Sequence, residues 1–209
     1  MKRIFFCMFL VNILCAQDDT PDFDNKDMRR TFEKLIGHYF KKETLEQYGQ
    51  NFVVGGKING VLFVTLIKSK DIEVKHRALR IILDMGNTLL KHTDSEEWIA
   101  IRDAIIDLMN SEDADLRQSA ILTARVFWRN DKDKRLSKTL IHHLDDNDEE
   151  SVAYAIQGLR IAQDDVLKSD DILGKLRSIA MNDDRPIAQG EAVKFFIYLV
   201  DELRSPKLQ

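Results

Sequence analysis

Apolar residues recur at intervals of three and four along residues 57–203, and short turns rich in Asp, Asn and Ser interrupt them. This spacing places the apolar side chains on one stripe of an α-helix. Each polar turn therefore joins two amphipathic helices. The pattern predicts an all-α chain built as an array of helical hairpins.

Four ten-residue segments that contain these turns align without a gap. Each segment opens with an aliphatic residue and returns to one eight positions later, at Val74, Leu116, Val152 and Ile187. The segments begin 42, 36 and 35 residues apart, which is a spacing typical of helical repeats. We expect the four return positions to occupy equivalent buried sites. The segments are Leu66–Lys75, Leu108–Arg117, Leu144–Ala153 and Ile179–Ala188.

The turns carry side chains that cap helices, because Asp, Asn and Ser accept hydrogen bonds from the free amides at a helix start. Pro186 falls in the first turn of the last predicted helix, where its missing amide hydrogen costs nothing. The predicted N-caps of the second helix in each pair are Asp71, Asp113, Asn147 or Asp148, and Asp183.

An Asp-rich turn, an aliphatic residue, a basic residue and an Ala three positions later resemble the HEAT repeat. The first two segments carry this motif and the last two depart from it, with Ala153 and Ala188 at the basic position and Ile156 and Glu191 at the Ala position. The resemblance implies a short right-handed α-solenoid of about four HEAT-like helical hairpins, a fold found mostly in scaffolds and adaptors. The matching residues are Asp71, Val74, Lys75 and Ala78, and Asp113, Leu116, Arg117 and Ala120.

Two segments precede the array. Asp27–Gln47 has apolar residues at helical spacing, and we predict an N-terminal capping helix there because a solenoid must cover its end. Residues 52–57 allow a hairpin through Gly55 and Gly56, although helix from about Ile58 is favoured. The predicted solenoid domain spans residues 27–205, after a flexible linker at 18–26.

Residues 1–17 have the order of a secretory signal: Lys2 and Arg3, a short apolar run, and Ala16 before an acidic stretch. The run is too short to span a bilayer comfortably. Both cysteines of the chain lie in this segment, so a chain cut after it has no disulfide. Cys15 leaves a lipoprotein signal open as an alternative, although Leu14 precedes it where a small residue is usual.

The charge balance disfavours nucleic acid as a partner. Removal of the signal lowers the Lys and Arg count from 31 to 29 against 35 acidic residues, a net charge of about −6. Non-specific binding of nucleic acid requires Lys and Arg to neutralise phosphates. We expect no nucleic-acid partner and no membrane insertion beyond the signal or a lipid anchor at Cys15.

No chemical motif points to catalysis. His142 and His143 are adjacent, so they lie about 100° apart on a helix and cannot chelate one ion as an i, i+4 pair does. The acidic run 145–150 lacks the Gly and Glu that a calcium-binding EF-hand loop requires, and a solvated turn that caps a helix fits it better. We predict no cofactor, no metal and no enzymatic activity.

Candidate protein-binding residues follow from the repeat register. The second helices of a solenoid usually line its concave face, and residues opposite the core stripe point outward there. Two rows result, with Arg125 and Arg129 as an extension, and their Tyr, Arg and Leu side chains suit a protein interface as well as an ordinary solvated surface. The rows are His76, Gln118, Tyr154 and Gln189, and Arg80, Leu122, Gly158 and Val193.

The last helix is apolar on nearly every side from Val193 to Val200, whereas a terminal repeat should show water a polar face. We therefore expect a contact site that includes Phe196 and Tyr198. The short tail, the N-terminal helix, a second copy of the chain or a different protein could cover it.

The sequence as a whole predicts an exported protein-binding scaffold or adaptor, periplasmic or secreted, as in a bacterial envelope assembly. The alternative is an enzyme or a cofactor-handling or chromophore-handling protein, because certain HEAT-like families resemble lyases and cofactor chaperones. A concave pocket with converging titratable groups would favour that alternative, and a broad shallow face would favour the scaffold.

Overall fold

The computed structural model describes residues 57–131, 133–161 and 168–204, together with positions 37, 39, 40, 53, 54 and 166. The predicted signal and linker lie outside these residues, as does all but three positions of the predicted capping helix Asp27–Gln47. The chain divides into two compact units, Met1–Asp107 and Leu108–Gln209. The described chain is helical apart from one short two-stranded ribbon.

The ribbon lies in the first unit, where Val53 pairs with Ile58 and Val54 with Lys57 in antiparallel register. The hairpin alternative for residues 52–57 is therefore correct, and the helix expected from about Ile58 begins two residues later. Asn59 caps it by accepting a hydrogen bond from the Leu62 amide at 3.1 Å. The elements are β1 (Val53–Val54), β2 (Lys57–Ile58), α1 (Gly60–Ile67), α2 (Ile72–His92) and α3 (Ser95–Met109).

The second unit packs helices that are close in sequence. Helix α6 contacts α4 and α8, and it also contacts α5, while α7 packs against α8. No helix in the described part of the chain is both long enough and apolar enough to cross a membrane. The elements are α4 (Ala114–Asp131), α5 (Lys134–His142), a 3₁₀ turn (His143–Asp145), α6 (Glu149–Ile161), α7 (Asp170–Asn182) and α8 (Pro186–Arg204).

Three of the four predicted N-caps are confirmed. Asp71 accepts from the Glu73 amide at 2.9 Å, at the start of α2. Asp113 and Asp148 accept from the amides of the third residues of α4 and α6, at 2.9 and 2.8 Å. Side-chain oxygens at these positions satisfy amides that have no partner within the helix.

The fourth predicted cap, Asp183, is wrong. This residue follows the last residue of α7, and its carboxylate accepts from the Arg185 amide at 2.9 Å. Helix α8 begins only at Pro186. Relative to the aligned segments, α8 begins one residue later than α2 and α4 do, and Asp183 organises the turn 183–185 instead of the helix start.

Of the four return positions, Val74, Leu116 and Val152 are buried as expected, whereas Ile187 is 48% exposed. Val152 is the fourth residue of α6, whereas Val74 and Leu116 are the third residues of their helices, so the site of Val152 is not equivalent to theirs. The neighbouring Ala188 is fully buried. Since successive helical residues point about 100° apart, a shift of one position moves a side chain off the core face. The helices start 42, 35 and 37 residues apart, so an alignment without gaps could not hold at α6 or at α8.

Counting from each helix start reveals a common register for α2, α4, α6 and α8. The third residue of each helix is buried, and the seventh is an alanine with no exposed surface. Ile156 and Glu191 are therefore not the equivalents of the first two alanines. The four alanines are Ala78, Ala120, Ala155 and Ala192.

Candidate functional site

The buried polar contacts of the second unit centre on Asp146, in the turn before α6. Arg117 of α4 binds its carboxylate with two nitrogens, Nε to Oδ2 at 2.8 Å and Nη2 to Oδ1 at 3.1 Å. The Asp148 amide donates to Oδ1 at 2.9 Å, and His143 Nδ1 lies 3.1 Å from Oδ2. This carboxylate accepts a paired, charge-assisted contact, the strongest type of side-chain hydrogen bond.

The same residues connect three successive turns. Arg117 also donates to the main-chain oxygen of Ser111 at 2.8 Å, in the turn before α4. Arg185, in the turn before α8, donates to the main-chain oxygen of Asp146 at 2.6 Å and holds Asp183 through Nη2 at 2.7 Å. The turns before α4, α6 and α8 are thus linked by two arginines, and we call this set of residues the turn network.

Electrostatics fix the charge states within the turn network. Burial works to raise the pKa of Asp146, but hydrogen bonds from the Asp148 amide, Arg117 and His143 outweigh it and lower that pKa. Burial lowers the pKa of His143 in spite of the neighbouring carboxylate. At neutral pH an ionised Asp146 therefore faces a neutral His143. These groups are held for structure, since every carboxylate oxygen of Asp146 is already bonded.

Two open clefts flank the turn network. The larger, about 560 Å³, lies between the turn at Asp145 and the turn at Asp183, with Lys175 and Ser178 on its wall. The smaller, about 370 Å³, is lined by Ser111, His142 and other turn residues. Within the described ranges, no three His, Cys, Asp or Glu side chains are grouped so as to hold a metal ion.

The two sequence features considered as ion sites resolve into structural roles. His142 is exposed and His143 is buried. The prediction of a solvated capping turn for residues 145–150 holds for the cap at Asp148. It is wrong for Asp146, whose side chain is only 11% exposed because Arg117 and His143 cover it.

The predicted protein-binding residues fall in both units. His76 and Arg80 lie on α2 in the first unit, half-buried and exposed respectively. Within the second unit, Gly158 does not belong to the exposed row, because it is buried against Leu140. The side chain of Arg129 lies outside the described residues. Val193 is exposed. The remaining candidates are half-buried, namely Gln118, Leu122, Arg125, Tyr154, Gln189, Phe196 and Tyr198.

Two contacts connect the exposed sides of α4, α6 and α8. Arg125 donates from Nη1 to the Gln157 side-chain oxygen at 3.2 Å. The Arg160 guanidinium carbon lies 5.7 Å from the centre of the Tyr198 ring, a cation–π contact. We call these four residues the bridged face, because each pair joins neighbouring helices.

Gln157 and Arg160 were missed by the sequence rows. Arg125 and Arg160 are both the twelfth residue of their helices, and each reaches toward the next second helix along the chain. The gapless alignment put α6 out of step with α4, so it selected Tyr154 and Gly158 instead. Alignment by the buried alanines would have found both residues.

The far end of the second unit exposes apolar side chains. Val193, Ile197 and Val200 on α8 are 43%, 56% and 43% exposed. Phe196 lies beside them, half-buried, and meets Phe195 edge to face with ring centres 5.7 Å apart.

Comparison with protein-family models, curated proteins and solved structures finds no match to this chain.

Proposed function

We propose that the chain is an exported, non-enzymatic protein-binding scaffold, and that its partner contacts the bridged face of α4, α6 and α8. The observation that carries this proposal is the pair of inter-helix contacts, Arg125 with Gln157 and Arg160 with Tyr198. They hold large amphipathic side chains in defined, half-exposed positions across three neighbouring helices.

Side chains of this kind supply most of the binding energy of protein interfaces. Arg and Tyr are enriched among hot-spot residues, where truncation to Ala often costs about 2 kcal/mol or more of binding free energy. Residues that are already held in place lose less conformational freedom on binding. The bridged face is therefore suited to a folded protein surface. The clefts beside the turn network are open, and some of their lining side chains, such as Asp183 and Arg185, are already bonded to each other.

A HEAT-like solenoid is the architecture we propose for the whole array. The support is the shared start of α2, α4, α6 and α8, with a buried third residue and a buried alanine at the seventh position. A stack of such pairs would present its second helices side by side, as α4, α6 and α8 are within the second unit.

Export is proposed from the signal-like residues 1–17. Measurement of the intact mass of the chain recovered from its native compartment tests this directly. Loss of the first 16 or 17 residues agrees with a cleaved signal, and a chain that begins with acylated Cys15 agrees with lipidation. Recovery of the complete chain from the cytosol would contradict export.

The binding proposal is tested by affinity capture from the native compartment with mass spectrometry. We compare the original chain with the double variant Arg125→Ala/Arg160→Ala. A matched control, Lys138→Ala/Arg177→Ala, removes two exposed charges from α5 and α7. Two lost anchors at about 1.4 kcal/mol each should reduce capture affinity about a hundredfold. The control should capture as much partner as the original chain.

Equal capture by the original chain and the Arg125→Ala/Arg160→Ala variant would contradict the bridged face as the binding site. Circular dichroism of both double variants establishes that they keep the original helix content. Failure to capture any protein with a correctly folded original chain would contradict the function itself.

A further inference from the structure

The exposed apolar stripe of α8 lies on the side that α6 cannot cover. Val193, Ile197 and Val200 are spaced by four and three, which places them on one side of the helix. Tyr198 contacts Arg160 of α6, and by helical geometry it points about 100° to 160° away from all three. We call Val193, Phe196, Ile197 and Val200 the α8 stripe.

Two opposite charges border the α8 stripe along the same edge. Lys194 and Asp201 are seven residues apart, so they lie nearly in line along the helix, and both are exposed. Lys194 donates to Glu191 at 2.7 Å on its own helix. An ammonium group has three donors, so this contact leaves donors for a further acceptor.

These positions are self-complementary about Ile197. Lys194 lies about 4.5 Å before Ile197 along the axis and Asp201 about 6 Å after it. In an antiparallel copy related by a two-fold axis at Ile197, the partner's Asp201 lies within about 1.5 Å of the axial height of Lys194. Val193 then faces the partner's Val200. A parallel copy related by a two-fold axis would instead place the charged edges of the two helices on opposite sides of the pair, where they do not meet.

We propose that the α8 stripe is a self-association surface, covered by the α8 of a second copy in antiparallel orientation. An isologous two-fold interface requires one patch that complements itself, and this stripe does so in both its apolar residues and its bordering charges. Charged residues that flank such a helical seam select the orientation of the partner. The surface is distinct from the bridged face, so one chain can use both.

The test is sedimentation velocity of the full chain over a range of concentrations. The area is small, so we expect a weak dimer with a dissociation constant of about 10–100 µM. Ile197→Asp puts a charge at the centre of the stripe and should weaken association at least about tenfold. Val61→Asp, at an exposed apolar position of α1, is the matched control and should leave the dimer unchanged.

Charge exchange tests the orientation. Lys194→Glu and Asp201→Lys should each be monomeric alone, because each faces like charges across the two-fold axis. An equimolar mixture of the two single variants should form a heterodimer, because both charge contacts are then attractive. The double variant Lys194→Glu/Asp201→Lys should form a homodimer again. Recovery in the mixture also shows that both single variants are folded.

Two outcomes would overturn the proposal. One is a monomeric original chain at concentrations up to about 500 µM, and the other is a mixture of Lys194→Glu and Asp201→Lys that stays monomeric. Partner capture with the same variants separates this result from the proposed function. If Ile197→Asp loses the captured protein and the original chain never dimerises, the stripe binds a different protein and the self-association proposal is wrong.

Discussion

Replacement of Asp146 by Ala tests the turn network most severely. The substitution removes the acceptor of both Arg117 bonds, at 2.8 and 3.1 Å, and of the Asp148 amide at 2.9 Å. It also removes the carboxylate beside His143. Asp145→Ala is the matched control, because this neighbouring carboxylate is 67% exposed and pairs with the exposed end of Lys175.

The expected loss of unfolding free energy follows from the groups that Asp146→Ala leaves without their acceptor. Loss of one partner from a fully buried ion pair costs about 3–5 kcal/mol. Arg117 is 15% exposed and keeps its hydrogen bond to the main-chain oxygen of Ser111. The cost of leaving Arg117 without Asp146 is therefore smaller, about 2 kcal/mol. The unpaired Asp148 amide adds about 1 kcal/mol. We therefore expect Asp146→Ala to lower the free energy of unfolding by about 3 kcal/mol, and Asp145→Ala by less than about 0.5 kcal/mol.

Urea denaturation followed by Trp128 fluorescence measures this loss within the second unit. Trp128 lies in α4, and Trp98→Phe is included in every protein compared so that Trp128 is the remaining tryptophan. With a denaturant dependence of about 1.5 kcal/mol per molar, the midpoint of Asp146→Ala should fall by about 2 M. A loss below about 1 kcal/mol, or one equal to that of Asp145→Ala, would refute the reasoning.

The difference in unfolding free energy between the original chain and Asp146→Ala should depend on pH. The pKa of Asp146 is lower in the folded chain than in the unfolded chain, so its stabilising contribution is present above a pH of about 4. It is lost as the pH falls through the folded pKa. The gap between the original chain and Asp146→Ala should therefore close under strongly acidic conditions.

Three further substitutions test separate parts of the fold. Gly158→Ala should lower the free energy of unfolding by about 1–3 kcal/mol, since a Cβ at this position would lie 2.9 Å from Leu140 Cδ1. A negligible loss of stability in urea denaturation would contradict that packing. Burial lowers the pKa of His143, so only the unfolded chain gains the proton as the pH drops below about 6.5, and the free energy of unfolding should fall there. His143→Gln should flatten this pH dependence. An unchanged pH dependence would exclude His143 as its source. Asp71→Ala should cost about 1 kcal/mol through loss of the α2 cap, measured by Trp98 fluorescence, and full stability would show that the cap is dispensable.

The helices could be predicted from sequence because their apolar period and their caps are local properties. Asp71, Asp113 and Asp148 bond to amides two or three residues away, so the turn chemistry alone located them. The register of α8 could not be predicted in this way. Helix α8 begins one residue later in its aligned segment than α2 and α4 do, so the aliphatic residue at position 187 fell where the alignment expected the buried position that Ala188 occupies.

The turn network and the bridged face depend on contacts distant in sequence. Arg117 and Asp146 are 29 residues apart, and Arg125 and Gln157 are 32 apart, so no local pattern pairs them. The burial of Asp146 could not be predicted either, because an acidic run such as 145–150 is expected to be exposed to solvent. A register counted from the alanines would have aligned Arg125 with Arg160 and placed Gln157 in the predicted row, but it would not have shown which side chains pair.

The common register of α2, α4, α6 and α8 is the central claim, because it places Arg125 and Arg160 on equivalent half-buried positions. Single cysteines at the four alanine positions 78, 120, 155 and 192, in a chain with Cys7 and Cys15 replaced by Ser, test it through their rate of reaction with a soluble thiol reagent. Cysteine at Lys194, a well-exposed position, is the control. We predict that the four buried thiols react only as fast as the chain unfolds, while the control reacts at once. Rapid labelling at position 155 or 192 in the folded chain would contradict the register.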